Sequence, residues 1–387
     1  MAFLGDLTNY RKDRINCKIL TLDNYVSTDS MLANKNGITH TVSIPPNGNV
    51  SAYFKNDILI SNIRPYFKKI WLATKDGGCS NDVLVFPTSN SLINPQFLYY
   101  TLFQDSFFNY MMSGSNGTKM PRGNKKSILK YEFNLPPLKI QNKIATLLSN
   151  YDNLIQNNTK RIKLLEEMAE EIYKEWFVRL RFPQYEKSKI IDGVPDGWEE
   201  KNLFEVSDVI YGYPLKSSLF NEIKEGEPLV RIRDIKNSSI NTFTTERISD
   251  DKYYLRNGDL IVGMDGDFHF GKWSSGKAIL NQRVVCFRPK KNISKYLFYF
   301  SLKKDIDYLN YVISGTTVAH LSAKDLKKIT ILIPTDKLMK KFKDSIDTFY
   351  DLEITLKVKN QTLKQTRDLL LPRLMSGKLD LENIEIL

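Results

Sequence analysis

The string GDFHFGK, Gly266 to Lys272, has the glycine and lysine spacing of a loop that cradles phosphate. Trp273 stands where such a loop needs a Ser or Thr hydroxyl, and two phenylalanines crowd the backbone that would wrap the phosphate. PDGWEEK, Pro195 to Lys201, holds an Asp and a Glu-x-Lys in the manner of a metal-dependent nuclease. Only three positions separate Asp196 from Glu199, too few for two strands to aim both at one ion. A turn that opens a domain is the better reading. No Gly-x-Gly-x-x-Gly occurs. IPPN at Ile44 and LPPL at Leu135 lack the acid or amide that a Pro-Pro-aromatic methylation motif sets beside its target amino group. The three histidines, His40, His269 and His320, and the cysteines Cys17, Cys79 and Cys286 are too dispersed for a metal cluster or a disulfide framework. The expectation is a chain with no catalysis, bound metal or cofactor of its own.

What remains is charge. Fifty-six Lys and Arg stand against 44 Asp and Glu, a net charge of +12. That excess favours a polyanion, either nucleic acid or an anionic membrane. No run of about eighteen apolar residues is present to span a bilayer, and MAFLGDLTNYRKDRINC lacks the build of a secretory signal. The unpaired cysteines fit a soluble cytosolic protein with reduced thiols.

Gripping a nucleic acid takes Lys and Arg for phosphates, and Arg, Asn, Gln, Asp and Thr for base edges. In the first half, NIRPYFKK supplies Arg64, Tyr66, Lys68 and Lys69. SGSNGTKMPRGNKK adds Asn116, Lys119, Arg122, Lys125 and Lys126. In the second half, LVRIRD offers Arg231 and Arg233, and GMDGDFHFGK offers Asp265, His269 and Lys272. NQRVV gives Gln282 and Arg283, and SGTTVAHL gives Thr316, Thr317 and His320. For each, a solvated surface charge is the competing reading; for His320 it is packing against its own loop.

These two groups sit in two copies of one pattern. KNDILISNIRPYF and NGDLIVGMDGDF place Asp57 and Asp259 202 positions apart. DVLVFPTS then answers RVVCFRPK, with Pro87 and Pro289 at the same spacing. SGSNGTKM answers SGTTVAHL, and FNLPPL answers ITILIP. The apolar runs DILIS, DVLVF, DLIVG and RVVCF read as short strands. Each copy is therefore an α+β globule followed by a long helix, and 42% hydrophobic content over 387 residues suffices for two cores.

Alternate steps of four and three define the helices. Ile144, Leu148, Tyr151, Ile155, Asn158, Ile162, Leu165, Ala169, Ile172 and Trp176 form one seam. An offset of 198 gives Phe342, Ile346, Phe349, Glu353, Leu356, Asn360, Leu363, Arg367, Leu370 and Leu374. This is the narrow stripe of a coiled coil, and an Asn within each seam specifies pairing register. The economical pairing is antiparallel within one chain, with homodimerisation through either helix as the alternative. At about 1.5 Å per residue each rod spans about 55 Å, which predicts two unlike heads at opposite ends of a pseudo-two-fold dumbbell. Duplex DNA repeats its groove about every 35 Å, so a rigid rod would set the spacing of two half-sites, and unlike heads would make the site split and asymmetric. The competing reading is a coiled-coil scaffold whose heads bind proteins.

The order of globule, LPPLKIQNKIATLLSNYDNLIQNNTKRIKLLEEMAEEIYKEWF, FPQYE, VPDGWEEKNLFEV, second globule and LKQTRDLLLPRLMSGKLDLE resembles the specificity subunit of type I restriction-modification enzymes. The resemblance runs through essentially the whole chain, although the first globule opens on MAFLGDL with no PDGWE. It implies target-recognition domains at 1–138 and 198–336, spacer helices at 139–178 and 337–387 including the tail, and a linker at 179–197. It further implies non-catalytic binding of a bipartite double-stranded DNA site. The implied partners are two adenine methyltransferase subunits carrying S-adenosylmethionine and a motor-nuclease subunit using ATP and magnesium.

Overall fold

Within DILIS the run Ile58, Leu59 and Ile60 is apolar at successive positions, as a strand covered on both sides must be, and all three are fully buried. The computed structural model describes residues 1–387 except Asn116, Thr118, Asn237, 314–318, Asp380 and 382–387. The chain divides into two units, Met1–Asn153 with Lys364–Leu387, and Leu154–Leu363.

In the first unit β1 (Ile58–Ser61) lies between β2 (Ile70–Leu72) and β3 (Val83–Phe86), antiparallel to both. A second sheet orders Arg14–Asn16, Asn49–Tyr53, Gly77–Cys79 and Tyr25–Val26. The helices Pro95–Phe103 and Asp105–Ser113 bury Phe97, Phe103, Phe107 and Phe108 in the core with Ile58, Ile60 and Phe86. Asn94 starts the first of them by accepting from the Phe97 amide, with Pro95 in the first turn, where a missing N–H costs nothing.

The second unit repeats this plan: β4 (Leu260–Gly263) lies between β5 (Phe270–Lys272) and β6 (Val284–Pro289), and Ser207–Tyr211 extends the sheet beyond β6. Register makes the repeat quantitative. Ile58 faces Phe86 as Leu260 faces Phe287, and Ser61 faces Val83 as Gly263 faces Val284. Pro87 therefore corresponds to Arg288, one place short of the expected Pro289, because strand pairing and not the proline fixes the match. Phe3 faces Glu132 as Asn202 faces Thr330. The stretch MAFLGDL, which carries no PDGWE, thus occupies the place of EKNLFEV, and Leu4 and Leu203 are both fully buried.

Two long helices, α1 (Leu138–Tyr173, continued by a widened π turn at Lys174–Val178) and α2 (Asp336–Met375), contribute a stretch to each unit. In both units the stretches run antiparallel. Within the first, Ile144, Ala145 and Leu148 share a core with Leu371, Leu374 and Met375, and Arg367 donates to Asp152. Within the second, Asn158 Nδ2 donates to Asn360 Oδ1 at 2.9 Å, Lys357 reaches Glu166 at 3.1 Å, and Trp176 lies 5.2 Å from the Phe342 ring. The seams thus pair inside the chain.

On α1 the seam positions Ile144, Leu148 and Asn158 are buried, and Tyr151, Ile155, Ile162, Leu165, Ile172 and Trp176 are half-buried; Leu154, Leu164 and Met168, off the seam, are exposed. On α2, Phe342, Ile346, Leu356, Asn360 and Leu374 are buried, with Phe349, Leu363 and Leu370 half-buried. Both charged interruptions are ion-paired: Arg367 with Asp152, and Glu353 with Lys272 and Lys357. Among the described residues no helix is long and apolar enough to cross a membrane.

Candidate nucleic-acid interface

One end of each main sheet is closed by the same backbone device. In the first unit Ile63 and Arg122 form an isolated antiparallel bridge. Arg64 N–H donates to Pro121 O at 2.8 Å, Gly123 N–H to Asn62 O at 3.2 Å, and Asn62 N–H to Asp82 O at 2.8 Å. In the second unit Asp265 and His320 form the bridge. Gly266 N–H donates to Ala319 O at 3.0 Å, Leu321 N–H to Met264 O at 2.7 Å, and Met264 N–H to Arg283 O at 2.9 Å. Gly123 permits the close approach, since a Cβ there would fall 2.9 Å from Asn62 Oδ1. Gly266 supplies a positive φ of 72°.

The side chains on this shared frame differ. Ile63 matches Asp265, Asp82 matches Arg283, and Arg122 matches His320. In the first unit Arg122 Nη2 lies 3.2 Å from Asp82. In the second, Arg283 Nη1 lies 3.2 Å from Asp265 Oδ2 while His320 Nδ1 lies 2.6 Å from Oδ1. All of these side chains are exposed or half-exposed, so the pairs add about 0–1 kcal/mol to stability. Groups held so weakly can exchange partners with a base edge or phosphate.

The flanks are basic. In the first unit Lys119, Lys125 and Lys126 are exposed beside Arg122. Arg64 adopts a left-handed backbone (φ 49°), and its buried Nε has no hydrogen-bond partner among the described residues. Tyr66 is exposed, its ring 4.6 Å from that of Phe67, an aromatic edge of the kind on which a base stacks. Lys68 and Lys69 are tied inward, to Asp105 at 3.0 Å and to Thr28 O at 2.6 Å. Burial pushes the Asp105 carboxyl up, but Lys35 and Lys68 together hold it below its ordinary value.

In the second unit the turn Ile232–Ile235 packs Ile232 against Gly263, where a Cβ would lie 2.9 Å from Ile232 Cγ2. That contact brings Arg231 and Arg233 beside the end of β4, both directed at Thr242 Oγ1. Asp234 caps the turn through the Arg231 amide at 2.9 Å, and burial raises its carboxyl to about 6. Gln282 and Arg283 are exposed, and His269 is half-buried in the β4–β5 turn, its carbonyl accepting from Gly263. Asn116, Thr316 and Thr317 lie outside the described residues.

Lys272 is a correction. Its side chain is 1% exposed and bonds Glu353 Oε2 at 2.6 Å, with Glu166 at 3.5 Å. The Tyr296, Tyr299 and Tyr350 rings enclose it, their centroids 4.7, 4.1 and 5.2 Å away. It lies at the opposite end of the β4–β5 hairpin from Asp265, and no polyanion can reach it. Burial lowers its ammonium below the ordinary range against the pull of Glu353 and Glu166. GDFHFGK forms a hairpin turn and strand, not a loop entering a helix, so it offers no helix N-terminus to phosphate.

Residues missed from sequence include Asp82, Lys35, Asp105 and Thr242. The Pro87–Pro289 spacing sets Asp82 against Val284, and only the strand register matches it with Arg283. Among the described residues no three His, Cys, Asp or Glu side chains converge to hold a metal. All three cysteines are buried, and burial drives the Cys79 thiol up to about 12, away from thiolate chemistry.

The family profile of the type I restriction modification DNA specificity domain matches the chain twice, over residues 3–167 and 195–365. The chain belongs to this family. Both family matches contain one copy of the bridged sheet end. A similar relative is the Type I restriction enzyme MjaIX specificity subunit of Methanocaldococcus jannaschii, 27% identical over 315 residues, 75% of this chain and 70% of that one. The HindI specificity subunit of Haemophilus influenzae is 22% identical over 452 residues, covering 97% of this chain and 98% of that one. The crystal structure of the type I restriction-modification S subunit from M. genitalium shares the fold at a TM-score of 0.60 and 17% identity, covering 97% and 95% of the two chains.

Proposed function

We propose that this chain is the DNA-reading subunit of a type I restriction-modification complex. Residues 1–138 and 198–336 act as its two target-recognition domains, with the helix 139–178 and the C-terminal helix and tail 337–387 as spacers, and 179–197 as the linker. Each domain grips one half of a split, asymmetric duplex site. The observation that carries this reading is the bridged sheet end, present twice with the same backbone hydrogen bonds and different charged groups. A frame repeated with altered side chains suits two readers of different sequence better than two copies of one protein-binding head.

Catalysis belongs to partners on this reading. Two adenine methyltransferase subunits with S-adenosylmethionine dock on the helices, and a motor-nuclease subunit with ATP and magnesium completes the assembly. The chain itself turns nothing over.

Mapping methylated adenines in cells expressing the chain with its neighbouring subunits tests the proposal. The expected outcome is one two-part motif; unmethylated DNA, or turnover by the purified chain alone, rejects it. Duplex affinity should fall steeply with salt as counterions return to the phosphates, which a protein-binding scaffold would not show.

A further inference from the structure

The second unit holds a cavity of about 740 Å³ at the other end of β4 and β6, between the sheet and α2. It is separated from Asp265 by the four residues of β4, about 13 Å, so it is not part of the reading edge. Six cations line it: Arg256, Arg288, Lys290, Lys291, Lys295 and Lys343. Its two acids are already engaged, Asp259 by Arg288 at 2.7 Å and Asp351 by Lys295 at 2.5 Å. Arg256 pairs with Asp251 at 2.5 Å. Lys290, Lys291 and Lys343 have no carboxylate within ion-pair distance among the described residues, and Lys343 donates to the Lys291 carbonyl. Phe287, Ile293, Tyr350 and Ile354, all buried, supply apolar wall.

The repeat shows that the fold does not require these charges. Arg256 N–H donates to Asp259 as Phe54 N–H donates to Asp57. Ile293 N–H meets Lys290 O as Ile93 N–H meets Asn90 O, and Met339 N–H meets Thr335 O as Gln141 N–H meets Pro137 O. Through these matches the six cations fall on Phe54, Pro87, Asn90, Ser91, Pro95 and Ala145. None is basic. Even the buried carboxylate is served differently, since Arg11 holds Asp57 at 2.6 Å in the first unit where Arg288 holds Asp259 in the second.

We propose that this cavity binds a small phosphate-bearing ligand of nucleotide size. Cations facing one concavity focus a positive potential that concentrates anions. The volume lies within the about 300–1,000 Å³ of ligand pockets, and an apolar wall beside ammonium groups fits a nucleoside phosphate better than the sugar-phosphate edge of a duplex. Titration calorimetry of the full chain at low salt, with inorganic triphosphate, adenosine triphosphate and adenosine, is the test. Both triphosphates bind at one site per chain, and adenosine does not. Lys290→Ala with Lys343→Ala weakens the triphosphates by about tenfold or more, as does Lys291→Glu made separately. Lys55→Ala with Lys75→Ala, which removes equal charge elsewhere, leaves binding intact, and circular dichroism confirms that each variant is folded. Absence of triphosphate binding, or its persistence in both pocket variants, overturns the proposal. Loss of duplex affinity in those variants without triphosphate binding by the wild type also overturns it, by assigning the cations to the DNA backbone.

Discussion

The two domains share a backbone more closely than they share a surface. At the bridged sheet end the same three places hold Ile63, Asp82 and Arg122 in one copy and Asp265, Arg283 and His320 in the other, so the acid and the arginine change position. Against the helices the contrast is deeper. Leu72 faces Ile58 in β2 where Lys272 faces Leu260 in β5. The first domain meets the helix pair largely through apolar packing, with Tyr100 donating to Asp152 at 2.6 Å. The second also packs Phe342, Ile346 and Ile354 against its core, and adds a buried ammonium and two glutamates. Equivalent positions can therefore be filled by opposite chemistry, provided the register of the strands is kept.

The largest effect expected from this contrast is at Lys272. Replacing it with Ala leaves fully buried Glu353 to Lys357 and the Tyr296 hydroxyl alone, and should cost about 3 kcal/mol. Leu72→Ala, the matching change in the first domain, should cost roughly 2 kcal/mol. Chemical denaturation followed separately in each domain checks the ranking; equal losses would erase the distinction.

A pH series sharpens it. Burial alone would raise the Glu353 carboxyl, but Lys272 and Lys357 hold it down to about 2. A carboxyl lowered by folding lends stability above its unfolded value, near 4.5, and that stability is lost as pH falls toward 2. Burial raises Glu166 next to it, an opposite and partly offsetting contribution. Acid unfolding of the second domain should therefore begin below about pH 4.5 and be blunted in Lys272→Met with Glu353→Gln, as read by circular dichroism.

Smaller in energy but more selective are changes at the reading edge. Asp82→Asn should alter preference in one half-site and Asp265→Asn in the other, each by about 1–3 kcal/mol per base pair. Binding-site selection with randomised duplexes measures this, and a change in both halves from one substitution would break the separation. Least in energy is the Asn158–Asn360 pair. Leu at both positions should leave stability equal or slightly higher while loosening register, detectable as mixed association states in sedimentation.

These contrasts also show what the chain made legible. The two-globule plan and the antiparallel helices could be read because long periodic patterns average over local exceptions. Glu353 and Arg367 looked like flaws in a seam, and each proved to be half of an ion pair whose other half lies far away in sequence. Lys272 was misread for the same reason: a lysine in a glycine-rich string signals a surface loop, and nothing local announces Glu353 on a helix 81 residues later. Pro87 and Pro289 were matched by residue type, whereas pairing of β1 with β3 and of β4 with β6 sets the true correspondence one residue away.

The bridge that closes each sheet end is made only of peptide groups. Its bonds run between amides and carbonyls and are indifferent to what the bridging residues carry. Mutation at those positions can thus wander through many side chains while the ledge that displays them stays put, and a lineage gains new binding preferences without first surviving a misfolded ancestor.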